Sequence, residues 1–228
     1  STRTSLNYIY MEELWNSRPR ISPANLLHGL AEECTKLNIQ SCDMYGDFEA
    51  SQDQSYLRRF ESEISETFGK EDAIFLPSGV MAQQIALNIH YDAAISAGKH
   101  VDRAFVCHYS SHILIHEKDT CSHLLKMDPI IVSKKENTVH QEPISYADIV
   151  NKFNPTSSTI SNNPCAVIIE CPHREIGGKC TPYEDLEKIS EHCRQAGVAL
   201  HMDGARLWEA TAHYTTSTTS TGIPVTSK

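Results

Sequence analysis

Between Cys165 and Asp203 the chain reads strand, helix, strand, and that order leaves few folds open. Cys165–Cys171 (CAVIIEC) is an unbroken apolar run with β-branched residues at its centre, the length of a strand rather than a helix. Tyr183–Gln195 then places Leu186, Ile189, His192 and Cys193 on one side of a helix. A second apolar run, Val198–Met202, ends in Asp203 and reads as another buried strand. Strands without polar alternation belong to parallel sheets whose two faces are both covered by helices, and a helical crossover sets two such strands side by side. The expected fold class is α/β, a mostly parallel sheet with helices on both faces.

The remaining segments fit that frame. Arg103–Cys107 and Ile130–Ser133 read as further strands, and Ala73–Leu76 as a short one. Pro23–Leu37 has Leu26, Leu27, Leu30, Ala31, Cys34 and Leu37 at helical spacing, with Pro23 suited to a first turn. Gln54–Phe68 predicts an amphipathic helix with Leu57, Phe60, Ile64 and Phe68 inside, Arg58, Arg59, Glu61 and Glu63 outside, and Gly69 at its end. Another helix is expected from Val80 to about Ile89, and a short one over Tyr146–Phe153, followed by a polar linker, Asn154–Pro164. The organisation read from these segments is an N-terminal arm and helix (1–45), a large domain (46–213) and a Ser/Thr-rich, disordered tail (214–228).

Polar groups collect where the strands end, and ligands bind at the carboxyl edge of open α/β sheets. Asp203 at that edge suits a ring nitrogen that must stay protonated; equally, it suits capping of the turn at Gly204. Pro77-Ser78-Gly79 leads into a helix, so its backbone N–H groups form either an anion site or an ordinary capped start. His108, His112 and His116 follow the strand that ends at Cys107. Three histidines four residues apart raise a metal-dependent hydrolase as an alternative, although the H-E-x-x-H arrangement is missing. The other use of His112 is to stack on a planar cofactor and to move a proton. Pro172–Gly178 puts His173, Arg174 and a glycine pair, which permits close backbone approach, after the CAVIIEC strand.

Composition excludes several classes. A formal net charge of −9 argues against a general nucleic-acid or anionic-membrane binder. No apolar run approaches the roughly 20 residues of a membrane span, and the first residues lack the basic-then-apolar pattern of a secretory signal. Eight dispersed cysteines without a CxxC fit reduced thiols in a cytoplasmic compartment.

Four stretches in order, FLPSGVMAQQIAL, SSHILIHE, ECPHREIGGKCTP and HMDGARLWEA, resemble the threonine aldolase and aromatic amino acid β-eliminating lyase family, from about Arg18 to about Tyr214. The resemblance implies the large domain of a fold type I, aspartate-aminotransferase-like enzyme that uses pyridoxal 5′-phosphate. It implies cofactor-binding roles for Ser78, Gly79, Val80, His112, Asp203 and Arg206, and catalytic roles for His112, His173 and Asp203, with no metal. Val80 stands where the family usually has Thr, which removes one hydroxyl donor. Glu117 matches the family's acid after the stacking histidine, and Tyr45-Gly46-Asp47 its early border loop.

The implied reaction cleaves the Cα–Cβ bond of a β-hydroxy amino acid such as threonine to glycine and an aldehyde, or eliminates a β-substituent. The expected partners are a small amino acid and, in the family form, a second copy. After Asp203 the chain carries no lysine until Lys228, whereas the family has its cofactor-binding lysine on a further strand. A chain truncated before that lysine is therefore expected; the missing initial Met is read separately, as a chain that is processed or a fragment. The alternative to the enzyme is a non-catalytic chain that pairs with a full-length subunit.

Overall fold

The computed structural model describes residues 21–39, 55–117, 119–132, 142–153 and 162–216. The chain divides into two compact units, Ser1–Phe75 and Leu76–Lys228. In the first unit, α1 (Pro23–Lys36) starts where the Ser22 side chain accepts the Asn25 N–H, with Pro23 in the first turn. The second helix, α2 (Tyr56–Phe68), is capped by Ser55 and ends at Gly69 in the left-handed conformation, as expected.

Which side of α2 is inside differs from the amphipathic expectation. Phe60 and Phe68 are exposed, while Glu61 is buried. Glu61 is held by Arg58 at 2.5 Å and by the backbone N–H of Phe75 at 2.7 Å, so its charge is partnered rather than solvated. The same bond explains why Ala73–Leu76 is irregular instead of a strand. The Phe75 and Ala73 N–H groups go to the side chains of Glu61 and Asp72, not to a neighbouring strand.

The second unit holds a four-stranded parallel sheet: β1 (Ala104–His108), β2 (Asp128–Val132), β3 (Ala166–Glu170) and β4 (Ala199–Asp203), ordered β2-β1-β3-β4. Its helices are α3 (Gly79–Ser96), α4 (His112–Ile115), α5 (Tyr146–Val150), α6 (Tyr183–Ala196) and α7 (Leu207–Thr216). Successive strand residues point to opposite faces. Val106, Val167 and Ile169 therefore join Ile149, Phe153, Ile189 and Cys193 in one cluster, and Phe105, Cys107, Ala166 and Ile168 join Leu87 and Ile113 in the other. Both faces are covered, by α5 and α6 on one side and α3 and α4 on the other, as the continuous apolar runs required. Each buried Val, Leu, Ile or Phe among them contributes about 1.5–3 kcal/mol.

One strand departs from its reading. β4 is parallel to β3 but is half-exposed, with Met202 outward, because it has a described strand on one side only. Asp203 thus ends an edge strand of the described sheet. Past His213, α7 continues to Thr216, into the segment read as tail. Most of the Asn154–Pro164 linker, together with Tyr45-Gly46-Asp47 and Lys228, lies outside the described residues.

Candidate functional site

The carboxyl ends of β1, β3 and β4 carry His108, Glu170 and Asp203, with Glu170 and Asp203 directly paired in the register. The capping reading of Asp203 is realised, and its second oxygen has a side-chain partner. One oxygen, Oδ1, accepts the Ala205 N–H at 3.2 Å and caps the turn. The other, Oδ2, accepts Nε2 of Gln83 at 3.1 Å. Gly204 belongs to that turn: a Cβ there would stand 3.3 Å from Cβ of Leu207, a tight approach to α7.

Gln83 is a junction. The Ser78 cap starts α3 so that Gln83 and Leu87, four residues apart, face inward, and both are buried. Besides Asp203, its Nε2 donates to Oε1 of Glu117 at 3.0 Å. Gln84 donates to Glu117 Oε2 at 3.1 Å. Glu117 Oε1 also meets Nδ1 of His112 at 3.0 Å. An ionised carboxylate only accepts, so Nδ1 carries the proton and Nε2 of His112 presents a lone pair. Glu117 is fully buried while the His112 side chain is 32% exposed, so the ring is reachable from outside and oriented from within.

Glu170 joins the turn after β1 to the turn after β3. Its Oε2 accepts the His112 N–H and its Oε1 the Arg174 N–H, each at 3.0 Å. The adjacent His173 is buried, and its Nε2 lies 3.0 Å from Ser110 Oγ and 3.2 Å from Ser110 O. The glycine pair beyond it is explained by conformation rather than by close approach. Gly177 and Gly178 have φ of 81° and 75°, and a Cβ on either would meet nothing within 4 Å.

Ser78 is the capped helix start that one of its two readings expected. Its Oγ accepts the Met81 N–H at 3.4 Å and its carbonyl the Ala82 N–H at 3.0 Å. The N–H groups of Gly79 and Val80 belong to the first turn of an 18-residue helix and have no acceptor within it. A Cβ on Gly79 would meet nothing within 4 Å, which leaves space there for an anion. Arg206 is half-buried in the turn between β4 and α7.

The three histidines do not converge. His108 ends β1 and turns to Ser110 and Glu142, His112 pairs with Glu117, and His116 pairs with Glu175 at 2.8 Å. Among the described residues no three His, Cys, Asp or Glu side chains form a metal-binding group. Burial pushes His108 down to about 4, with the nearby His173 acting in the same sense against smaller opposing effects from the Glu142 carbonyl and Asp148. His90 on α3 and His201 on β4 stack edge to face at 5.6 Å. Both are lowered by burial, and His201 also by His90, with Asp203 opposing.

Gln83, Ser110 and Glu170 escaped the sequence reading. Glu170 carried the same signal as Asp203, an acid closing an apolar run. Gln83 left only a polar residue one turn before Leu87 on a helix face.

A family model described as beta-eliminating lyase matches residues 37–226. The chain belongs to the beta-eliminating lyase family. It is 32% identical over 169 residues to low-specificity L-threonine aldolase 1 of Arabidopsis thaliana, covering 74% of this chain and 42% of that protein. It is 29% identical to the low-specificity L-threonine aldolase of Candida albicans, covering 73% and 41%. Among solved structures, a provisionally named L-allo-threonine aldolase from Listeria monocytogenes superposes with a TM-score of 0.66 at 34% identity, over 87% of this chain and 48% of that one. The chain spans about two fifths of the length of these curated relatives. The parallel sheet clothed by helices is therefore that of the lyase family's large domain, and the Asp203, Gln83 and Glu117 junction stands on it.

Proposed function

We propose that this lyase-family chain carries the pyridoxal 5′-phosphate site of an enzyme that cleaves a β-hydroxy amino acid, such as threonine, into glycine and an aldehyde. The observation that carries this reading is the continuous path Asp203–Gln83–Glu117–His112 at the carboxyl edge of the sheet. The donor set fits the cofactor. An anionic carboxylate stands at a strand end, an oriented imidazole is accessible nearby, and the helix that holds the carboxylate through Gln83 begins at the open turn of Ser78, Gly79 and Val80. Gln83 Oε1 is also a buried acceptor without a partner, so the side chain beside Asp203 has acceptor capacity to spare.

In this proposal Asp203 holds the pyridine nitrogen protonated, the first turn of α3 binds the phosphate, and Arg206 adds positive charge beside the ring. Bound there, pyridoxal phosphate supplies the electron sink for the pair released at Cα. The His112 ring, held at Nδ1 by Glu117, packs on the cofactor ring, and His112 or His173 takes the proton of the β-hydroxyl. Seven described cysteines are free thiols, which supports a reducing, cytosolic-type compartment. Among the described residues no helix is long and apolar enough to cross a membrane.

The test is an absorbance titration of the chain with pyridoxal phosphate, followed by borohydride reduction with peptide mapping and by assay of acetaldehyde and glycine from L-threonine. Saturable uptake that Asp203→Asn weakens at least tenfold supports the site. Uptake without turnover favours the pairing role with a longer subunit. Equal affinity in Asp203→Asn overturns the assignment.

A further inference from the structure

Next to the path just described lies a buried cluster that it does not use: His108, Ser110 and His173, each at most 3% exposed. Two backbone groups of Ser110 fix the direction of every hydrogen bond in it. The Ser110 N–H donates to Nδ1 of His108 at 3.2 Å, and a backbone N–H can only donate, so His108 Nδ1 holds a lone pair. His108 Nε2 then carries the proton, consistent with the Glu142 carbonyl 3.2 Å away. At the other end, the Ser110 carbonyl lies 3.2 Å from Nε2 of His173, and a carbonyl can only accept, so His173 Nε2 carries its proton. The hydroxyl between the rings has one orientation left. It donates to His108 Nδ1 at 2.9 Å and accepts from His173 Nε2 at 3.0 Å.

We infer that His108 and Ser110 are positioning residues that lock His173 in the Nε2–H tautomer, so that its lone pair sits on Nδ1. His108 acts through the hydroxyl. As a fixed acceptor it stops the Ser110 O–H from turning round and donating to His173. Burial keeps the His108 ring neutral, which preserves that acceptor. The inference deepens the proposal that His173 takes a proton from substrate and rests on it only for its consequence: the nitrogen that would do so is Nδ1. The contrast with His112, whose lone pair is on Nε2, gives two neighbouring histidines opposite tautomers.

The experiment is a long-range proton–nitrogen correlation spectrum of the chain labelled with 15N-histidine, without cofactor, at neutral pH. Wild-type His173 is expected wholly as Nε2–H. His108→Phe removes the acceptor, frees the hydroxyl to donate and produces a mixture of the two tautomers. His108→Asn offers an amide oxygen near the Nδ1 position and retains the single tautomer. Ser110→Ala also retains it, because no hydroxyl is left to compete with the backbone carbonyl. The double variant His108→Phe with Ser110→Ala restores the single tautomer, since no hydroxyl is left to turn; a loss of structural integrity would not be repaired by a second truncation. A wild-type His173 in the Nδ1–H form, an unchanged His108→Phe, or a double variant as mixed as His108→Phe would each overturn the inference. The spectrum needs neither cofactor nor turnover. A locked tautomer in a chain that takes up no pyridoxal phosphate therefore refutes the proposed function alone.

Discussion

Two histidines at the same sheet edge are held in opposite ways. His112 is one-third exposed and leans on the fully buried carboxylate of Glu117, itself gripped by two glutamine amides. His173 is buried, and what touches its Nε2 is a hydroxyl and a carbonyl, with the nearest carboxylate oxygen of Glu170 3.8 Å away. A carboxylate partner orients an imidazole and also welcomes its positive charge. Neutral partners orient it without inviting a second proton. The difference separates a ring oriented by a carboxylate near the surface from one oriented by a hydroxyl and a carbonyl inside. Glu170 accepts the backbone N–H groups of His112 and Arg174, so it ties the turn that carries His112 to the one that carries His173.

The largest expected effect tests the charged half. Glu117→Leu leaves Gln83 Nε2, Gln84 Nε2 and His112 Nδ1 without their shared acceptor and is expected to destabilise the chain by about 3 kcal/mol, read from denaturant midpoints. A loss below about 1 kcal/mol would mean that water replaces the carboxylate and that the network is not a structural unit.

The second tests the neutral half through pH. His108 folds neutral and is lowered to about 4, so between its unfolded value near 6.5 and about 4 the unfolded chain binds more protons. Stability is complete above the upper value and falls as pH drops through this window, by about 3 kcal/mol in all. His90 and His201, lowered by burial, act in the same sense. His108→Asn, which cannot charge, flattens the slope in part; an unchanged slope would show that His108 is charged or solvated in the native state.

Smaller effects sharpen the contrast. His173→Phe removes neutral hydrogen bonds and is expected to cost about 1–2 kcal/mol, clearly less than Glu117→Leu. If the order reverses, the buried cluster rather than the carboxylate path anchors this edge. Gly178→Ala forces an alanine to φ of 75° in open space, so only backbone strain is felt, about 1 kcal/mol by thermal unfolding.

Much of this was legible before any coordinates. CAVIIEC and the run into Asp203 are parallel neighbours in register, because a strand apolar on both faces has no other place to go. The capped start at Ser78 was readable because a capping bond spans three residues. Other features depended on distant partners. Glu61 looked like a solvated helix face until the Phe75 N–H, 14 positions away, came to it. The Ala73–Leu76 run had the composition of a strand, yet its backbone donors found side chains first. Gln83 meets Asp203 across 120 residues of sequence, which no local pattern encodes.

By itself, then, the sequence determined the class of fold and the strand ends at which chemistry collects, because burial on two faces and helix capping are local, periodic demands that a short stretch states completely. Only the tertiary structure decided which polar groups meet there, that β4 lies at an edge of the described sheet, and which nitrogen of each histidine keeps its proton. Those choices are made by hydrogen-bond partners brought together from remote segments, and the polarity of a single backbone N–H or carbonyl is enough to set them.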